Sequence, residues 1–185
     1  MINEYLQILI SSREILISIC ISLVVLFSLC YYLFNGRSSM LVKNFLFSVS
    51  LTLVFSLFIL LVSYLMIVTV LKNLNTQYLT LSVLFFLAYF MNLIIGFLVN
   101  TKNALFKGKK TGSLTEVLNE VKGSNVSRTA SLLVFLFILL LSIVALGNGR
   151  INALVILLLA SGIISSLSCI YILPLFLKIS EKVFK

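Results

Sequence analysis

The chain is 185 residues long, with 61% hydrophobic and only 10% charged side chains and a mean hydropathy of +1.21. One water-soluble core of this size cannot bury so much apolar surface, so a soluble domain is excluded and an integral membrane protein is expected. The formal net charge of +9 would suggest nucleic acid in a soluble domain, but these basic residues lie between apolar runs, where they set topology, and no nucleic-acid partner is expected.

Five charge-free stretches, Ile15–Gly36, Asn44–Leu71, Asn73–Thr101, Thr129–Gly149 and Ile151–Leu177, are each long enough for the roughly 20 residues that cross a bilayer as a helix. They lack the strict alternation of barrel strands and far exceed their length, so helices satisfy the backbone in lipid. The fold class predicted is an all-α integral membrane protein, a single transmembrane domain of helices at about 10–35, 42–71, 76–100, 127–147 and 151–178. The first span has Glu4 and Glu14 as well as Arg13 on its flank and no A-x-A site after it, so it reads as a retained helix and not as a cleaved signal. On the second, Ser48, Thr52 and Ser56 recur every four residues. The third carries Asn92, the only amide or ionisable side chain inside a long apolar run, in the stretch "AYFMNLIIGFLV". An uncompensated amide in hydrocarbon costs several kcal/mol, so a helix that carries one usually buries it against a neighbour.

After the basic run "FKGKKTG" comes "SLTEVLNEVKG", where Ser113 and Glu116 have capping-box spacing and Leu114, Val117, Leu118 and Val121 fall on one helical face. With Gly123 as terminator, this predicts a short amphipathic helix over about 113–122, lying on the inner membrane surface between the third and fourth spans, its apolar stripe buried against that surface or against the inner ends of neighbouring helices. On the fifth span, Ser161, Ser165 and Cys169 with Gly162 and Ser166 form stripes of small residues that let backbones approach closely, within the bundle or against another subunit.

The loops expected on one face, together with the C-terminal tail, hold eleven Lys and Arg, against Arg13, Lys72 and Arg150 on the other. That asymmetry predicts an outside N-terminus and a C-terminus in the cytoplasm. Chemistry is sparse. There is no Asp and no His, and the five Glu lie outside the apolar centres of the helices. Cys20, Cys30 and Cys169 sit in apolar runs without metal-ligand spacing. No metal site, cofactor, catalytic residue or proton relay is therefore expected, and the chain does not read as an enzyme.

Four segments in order carry a resemblance to the second to sixth membrane helices of SecF, the accessory subunit of the bacterial protein-export translocase, within the RND superfamily. "YYLFNGRSSMLVKNFLF" resembles the family's passage from second to third helix, and "AYFMN" is similar to its GYSIN motif, with Tyr89 and Asn92 matching. "LTEVLNEVKGSNVSRTASLLVF" resembles the surface helix leading to an S-R-T motif, matched by Ser127, Arg128 and Thr129. "GNGRINALVILLLASGIISSLSCIYILP" is similar to the glycine turn and sixth helix, with Gly162, Ile163, Ile164, Ser168, Ile170, Ile172 and Pro174 fitting, although the spacing to Pro174 is shorter than the family's.

The departures are as informative. Leu93 stands where the family has Asp, and "FLVNTKN" replaces a charged run. The resemblance leaves out the family's first helix and external domain. It implies a reduced SecF-like subunit in the inner membrane, with SecD-like and SecY-containing partners and surrounding lipid. It also implies that Asn92 faces the bundle interior as the remaining half of an Asn-Asp pair. The alternatives are a degenerate RND-type transporter half for lipid or a small hydrophobic molecule, and an orphan membrane scaffold.

Overall fold

The computed structural model describes residues 13–34, 39–70, 76–107, 114–146 and 152–183, and all regular structure among them is helical. The helices are α1 (Arg13–Phe34), α2 (Ser39–Val70), α3 (Thr76–Lys107), α4 (Leu114–Leu146), α5 (Asn152–Leu167) and α6 (Leu173–Val183). A π-helical turn, Ser168–Ile172, joins α5 to α6, so that the last two form one span. Five helices are thus long and apolar enough to cross a membrane, and the protein is a multi-pass helical bundle.

Three boundaries differ from expectation. The last span, predicted to end near 178, runs to Val183. The helix predicted to stop near residue 100 continues to Lys107, and the surface helix predicted over 113–122 is not a separate element but the first turns of α4. Gly123 lies inside that helix, exposed and with nothing near the position a side chain would take. A mid-helix glycine costs only about 1 kcal/mol relative to Ala. Here the apolar stripe runs through it in phase: Val117, Val121, Asn125 and Thr129 are all buried. At 33 residues α4 is about 50 Å long, longer than the roughly 30 Å hydrocarbon core, so one end extends past it. Val117, Leu118 and Val121 belong to the main core, so the stripe packs on neighbouring helices instead of lying on a membrane surface. Ser113 and the side chain of Leu114 lie outside the described residues.

The helices alternate in direction. One end of the bundle gathers the end of α1, the start of α2, the end of α3, the start of α4 and the end of α6. There the rings of Phe34 and Phe45 stack at 4.4 Å, Lys102 sits 5.9 Å over the Tyr32 ring, and Ser48 meets Ser180. This is the basic end. Helix α3 packs on α1, α4 and α5, while α2 packs on α1, α5 and α6, so α1 and α5 both lie between α2 and α3. Helix α4 closes the outside of α3 and α5, and α1 and α4 are the most exposed spans. Exposed Val24, Phe58, Phe135 and Ile138 face outward, as a lipid solvent requires.

Pro174 explains the π turn. Its ring nitrogen has no hydrogen, and in a regular helix it would crowd the carbonyl four residues earlier. The chain widens one turn before it, where the Leu173 N–H donates to the Ser168 carbonyl, five residues back.

Candidate functional site

The buried serine and threonine hydroxyls of α2 are satisfied locally. Ser48, Thr52 and Ser56, all fully buried, donate to the carbonyls of Asn44, Ser48 and Thr52 at 2.7, 2.6 and 2.5 Å, so the stripe on α2 is smooth and chemically quiet. The small residues of α5 serve the same close packing. Ser161, Gly162, Ser165 and Ser166 are buried within the chain itself, and a Cβ on Gly162 would overlap the Leu136 side chain of α4.

Ser161 does more. Its proton is shared between the carbonyls of Leu157 (2.7 Å) and Ser82 (3.2 Å), which leaves the Tyr64 hydroxyl as donor to Ser161 at 2.7 Å. One serine thereby ties α2, α3 and α5 together. Beside this tie an apolar cavity of about 220 Å³ opens between α1, α2 and α3, lined by Ile15, Ile19, Leu57, Leu60, Tyr64 and Val83 among others.

The family-motif positions are brought only partly together. Tyr89 is half-buried, its ring stacked on Phe85 at 5.8 Å, and its hydroxyl and that of Ser166 on α5 are each buried without a hydrogen bond. Thr129 is buried and Ser127 exposed. Asn92 does not face the interior. It is exposed near the middle of the span that runs from Gln77 to Leu105, and no described residue bonds its amide. The residue in the core is its neighbour Leu93, 3% exposed. A helix turns about 100° per residue, and that step takes Asn92 off the buried side of α3, which Leu93 and Ile94 share.

Arg128 reaches α3 one turn further along. From α4 its guanidinium lies directly over Gly96, one helical turn beyond Asn92, where any Cβ would collide with it. The absence of a side chain at 96 is what lets the guanidinium rest against α3. One turn further, the Asn100 amide donates to Asn125 Oδ1 at 2.8 Å. Asn92, Gly96 with Arg128, and Asn100 with Asn125 thus form a polar seam along α3 and α4, running from mid-span to the basic end.

At that end a cavity of about 170 Å³ lies between α4 and the π turn with α6. Lys122 and Asn125 line it from one side, Tyr171 and Lys178 from the other, with Cys169 and Pro174 in its wall. Asn125 is 6% exposed, and its Nδ2 is buried with no partner. Such a group loses its water without replacement, a cost of about 1–3 kcal/mol.

Comparison with protein-family models, curated proteins and solved structures gave no match. The site therefore rests on its own geometry. Sequence reasoning singled out Asn92 and Arg128 but missed Gly96, Asn100 and Asn125. The last was readable: it shares the helical stripe of Val121 and Thr129, an amide in an otherwise apolar or small series. Among the described residues no group of three or more His, Cys, Asp or Glu could hold a metal.

Proposed function

We propose that this chain is a subunit of a larger membrane complex, a SecF-like accessory component of the protein-export translocase that contributes packing surface and not a proton-driven motor. The observation that carries the reading is Asn92. An amide exposed at mid-span faces hydrocarbon if the chain stands alone, which is costly enough that such residues normally find a protein partner. Arg128, whose guanidinium lies over Gly96 one turn away, adds a cation to the same stretch of α3. A second membrane helix with an acceptor or carboxylate would satisfy both. Leu93, buried where the resembled family carries Asp, supports a passive role, because it cannot exchange protons.

In this reading the chain sits in the inner membrane with its basic end in the cytoplasm and its N-terminus outside, following the charge asymmetry of its loops. SecD-like and SecY-containing subunits are the partners it implies. A second reading, a transporter half for a small hydrophobic molecule, has the apolar cavity beside Tyr64 in its favour.

A photo-crosslinking amino acid at position 92, in intact cells, tests the proposal. Crosslinks to a translocase subunit are expected from 92, and none to protein from lipid-facing Phe58. Crosslinks from 92 to lipid alone would refute the subunit role, and a partner outside the export machinery would refute the SecF-like assignment.

A further inference from the structure

We propose that the cavity at the basic end is a binding site for the headgroup of an anionic phospholipid. The cavity is formed where the fifth span changes geometry. Its wall includes Cys169, Ile170 and Tyr171 of the π turn and then Pro174, so the widened turn shapes the space. Such π turns are found disproportionately at functional positions.

The polar groups are all suited to an anion. Lys122 on α4 and Lys178 on α6 line the cavity, both exposed, and among the described residues no carboxylate does. Asn125 lies one turn beyond Lys122 and brings an amide nitrogen that is buried and without a partner, while its oxygen is already occupied by Asn100. The unmet group is therefore a donor. Two ammonium groups and a free N–H suit the non-bridging oxygens of a phosphodiester.

The rest of the lining selects a lipid over a free ion. Phe97, Leu118, Val126, Ile170 and Leu175 supply apolar walls. Lys178 is the first charged residue after the apolar run of the fifth span, at the depth where headgroups lie. At about 170 Å³ the cavity takes a headgroup and leaves the acyl chains to lie outside, along the exposed apolar surface of α6.

The test uses the full chain in mild detergent, with native mass spectrometry reading retained lipid after addition of phosphatidylglycerol or phosphatidylcholine. The wild type is expected to retain phosphatidylglycerol preferentially. Lys122→Gln with Lys178→Gln should lose roughly thirtyfold of that retention, the attraction of two lysines for an anionic lipid. Asn125→Asp is the sharper variant, because it keeps an oxygen for Asn100 and replaces only the unmet donor with a negative oxygen; it should abolish the preference while far-UV circular dichroism stays unchanged. Lys43→Gln, an exposed lysine at the same end, should retain lipid as the wild type does. Equal retention of the two lipids, an equal loss in Lys43→Gln, or displacement of the lipid by equimolar inorganic phosphate would each overturn the proposal.

Discussion

The contact between α4 and α5 at Gly162 has a magnitude that can be worked out in steps. A Cβ at 162 overlaps the Cδ2 of Leu136, whereas its Cγ is at an ordinary 3.8 Å. Gly162→Ala therefore requires only the end of one leucine to move. Leu136 is itself buried, packed with Leu140 and Val155, so the move takes it off its preferred rotamer at a cost of about 0.5–1.5 kcal/mol. Gly162→Leu leaves no such escape. Three more carbons have to enter the same gap, and overpacking of that kind costs about 1–3 kcal/mol or separates the helices altogether. Steric-trap unfolding in bicelles would read the series wild type, Ala, Leu, with progressive destabilisation expected. Gly162→Ala combined with Leu136→Ala should recover part of the loss, since the second change opens the space the first one fills. Wild-type stability in Gly162→Leu would refute the reasoning, because it would mean that α4 does not rest on α5 at this point.

Tyr64→Phe removes the donor that joins α2 to α5 and should cost about 0.6–1.7 kcal/mol, the range of interhelical hydrogen bonds in lipid, in the same unfolding assay. Val117→Asp places a charge in a buried position of the main core; limited proteolysis at the start of α4 should speed up, and an unchanged rate would mean that this end of the helix is merely solvated. Asn92→Leu should leave the stability of the isolated chain within about 0.5 kcal/mol, since its amide has no partner there, yet reduce copurification of any membrane subunit. The chain alone in liposomes should conduct no protons under an imposed gradient, and robust flux would require a relay that its side chains do not contain.

Number and placement of the spans were legible because apolar length is an almost sufficient signal in lipid. The ends of the helices were less so. Glycine and basic residues after 107 suggest a flexible connector, and Gly123 looks like a stop, but the buried series Val117, Val121, Asn125, Thr129 continues at four-residue spacing across it. Packing along that face outweighs one glycine. The small-residue stripes on α2 and α5 lie buried within the bundle, where four-residue spacing lets backbones approach. Which way Asn92 faces was not legible. Its outward direction depends on which side of α3 the other helices occupy, and that follows from α1, α4 and α5 packing on α3 while α2 lies apart. No local pattern encodes such an arrangement.

The polar groups divide in a way that gives the two faces of the bundle different tasks. On α2 and the upper part of α5 every buried serine or threonine hydroxyl of the Ser48–Ser56 and Ser161–Ser165 series returns its proton to a carbonyl of its own helix or its neighbour. Removing those groups would alter fit and little else. Elsewhere groups are left open: Asn44, Ser166 and Ser168 each have a buried oxygen without a partner, and along α3 and α4 Asn92 has an unbonded amide at mid-span, Arg128 a guanidinium held against a bare turn of α3, and Asn125 a buried nitrogen without an acceptor. Leaving such groups unmet is costly in hydrocarbon, and the cost falls away only when something outside the chain supplies an acceptor. The seam requires two different acceptors. At mid-span lipid chains carry no acceptor, and in the proposed reading the missing group arrives on another helix. At the basic end a phosphodiester from the bilayer itself suffices. A subunit that docks by its middle and is pinned by a lipid at its end would keep a fixed depth and rotation against its partner, and that is the property an accessory packing subunit needs.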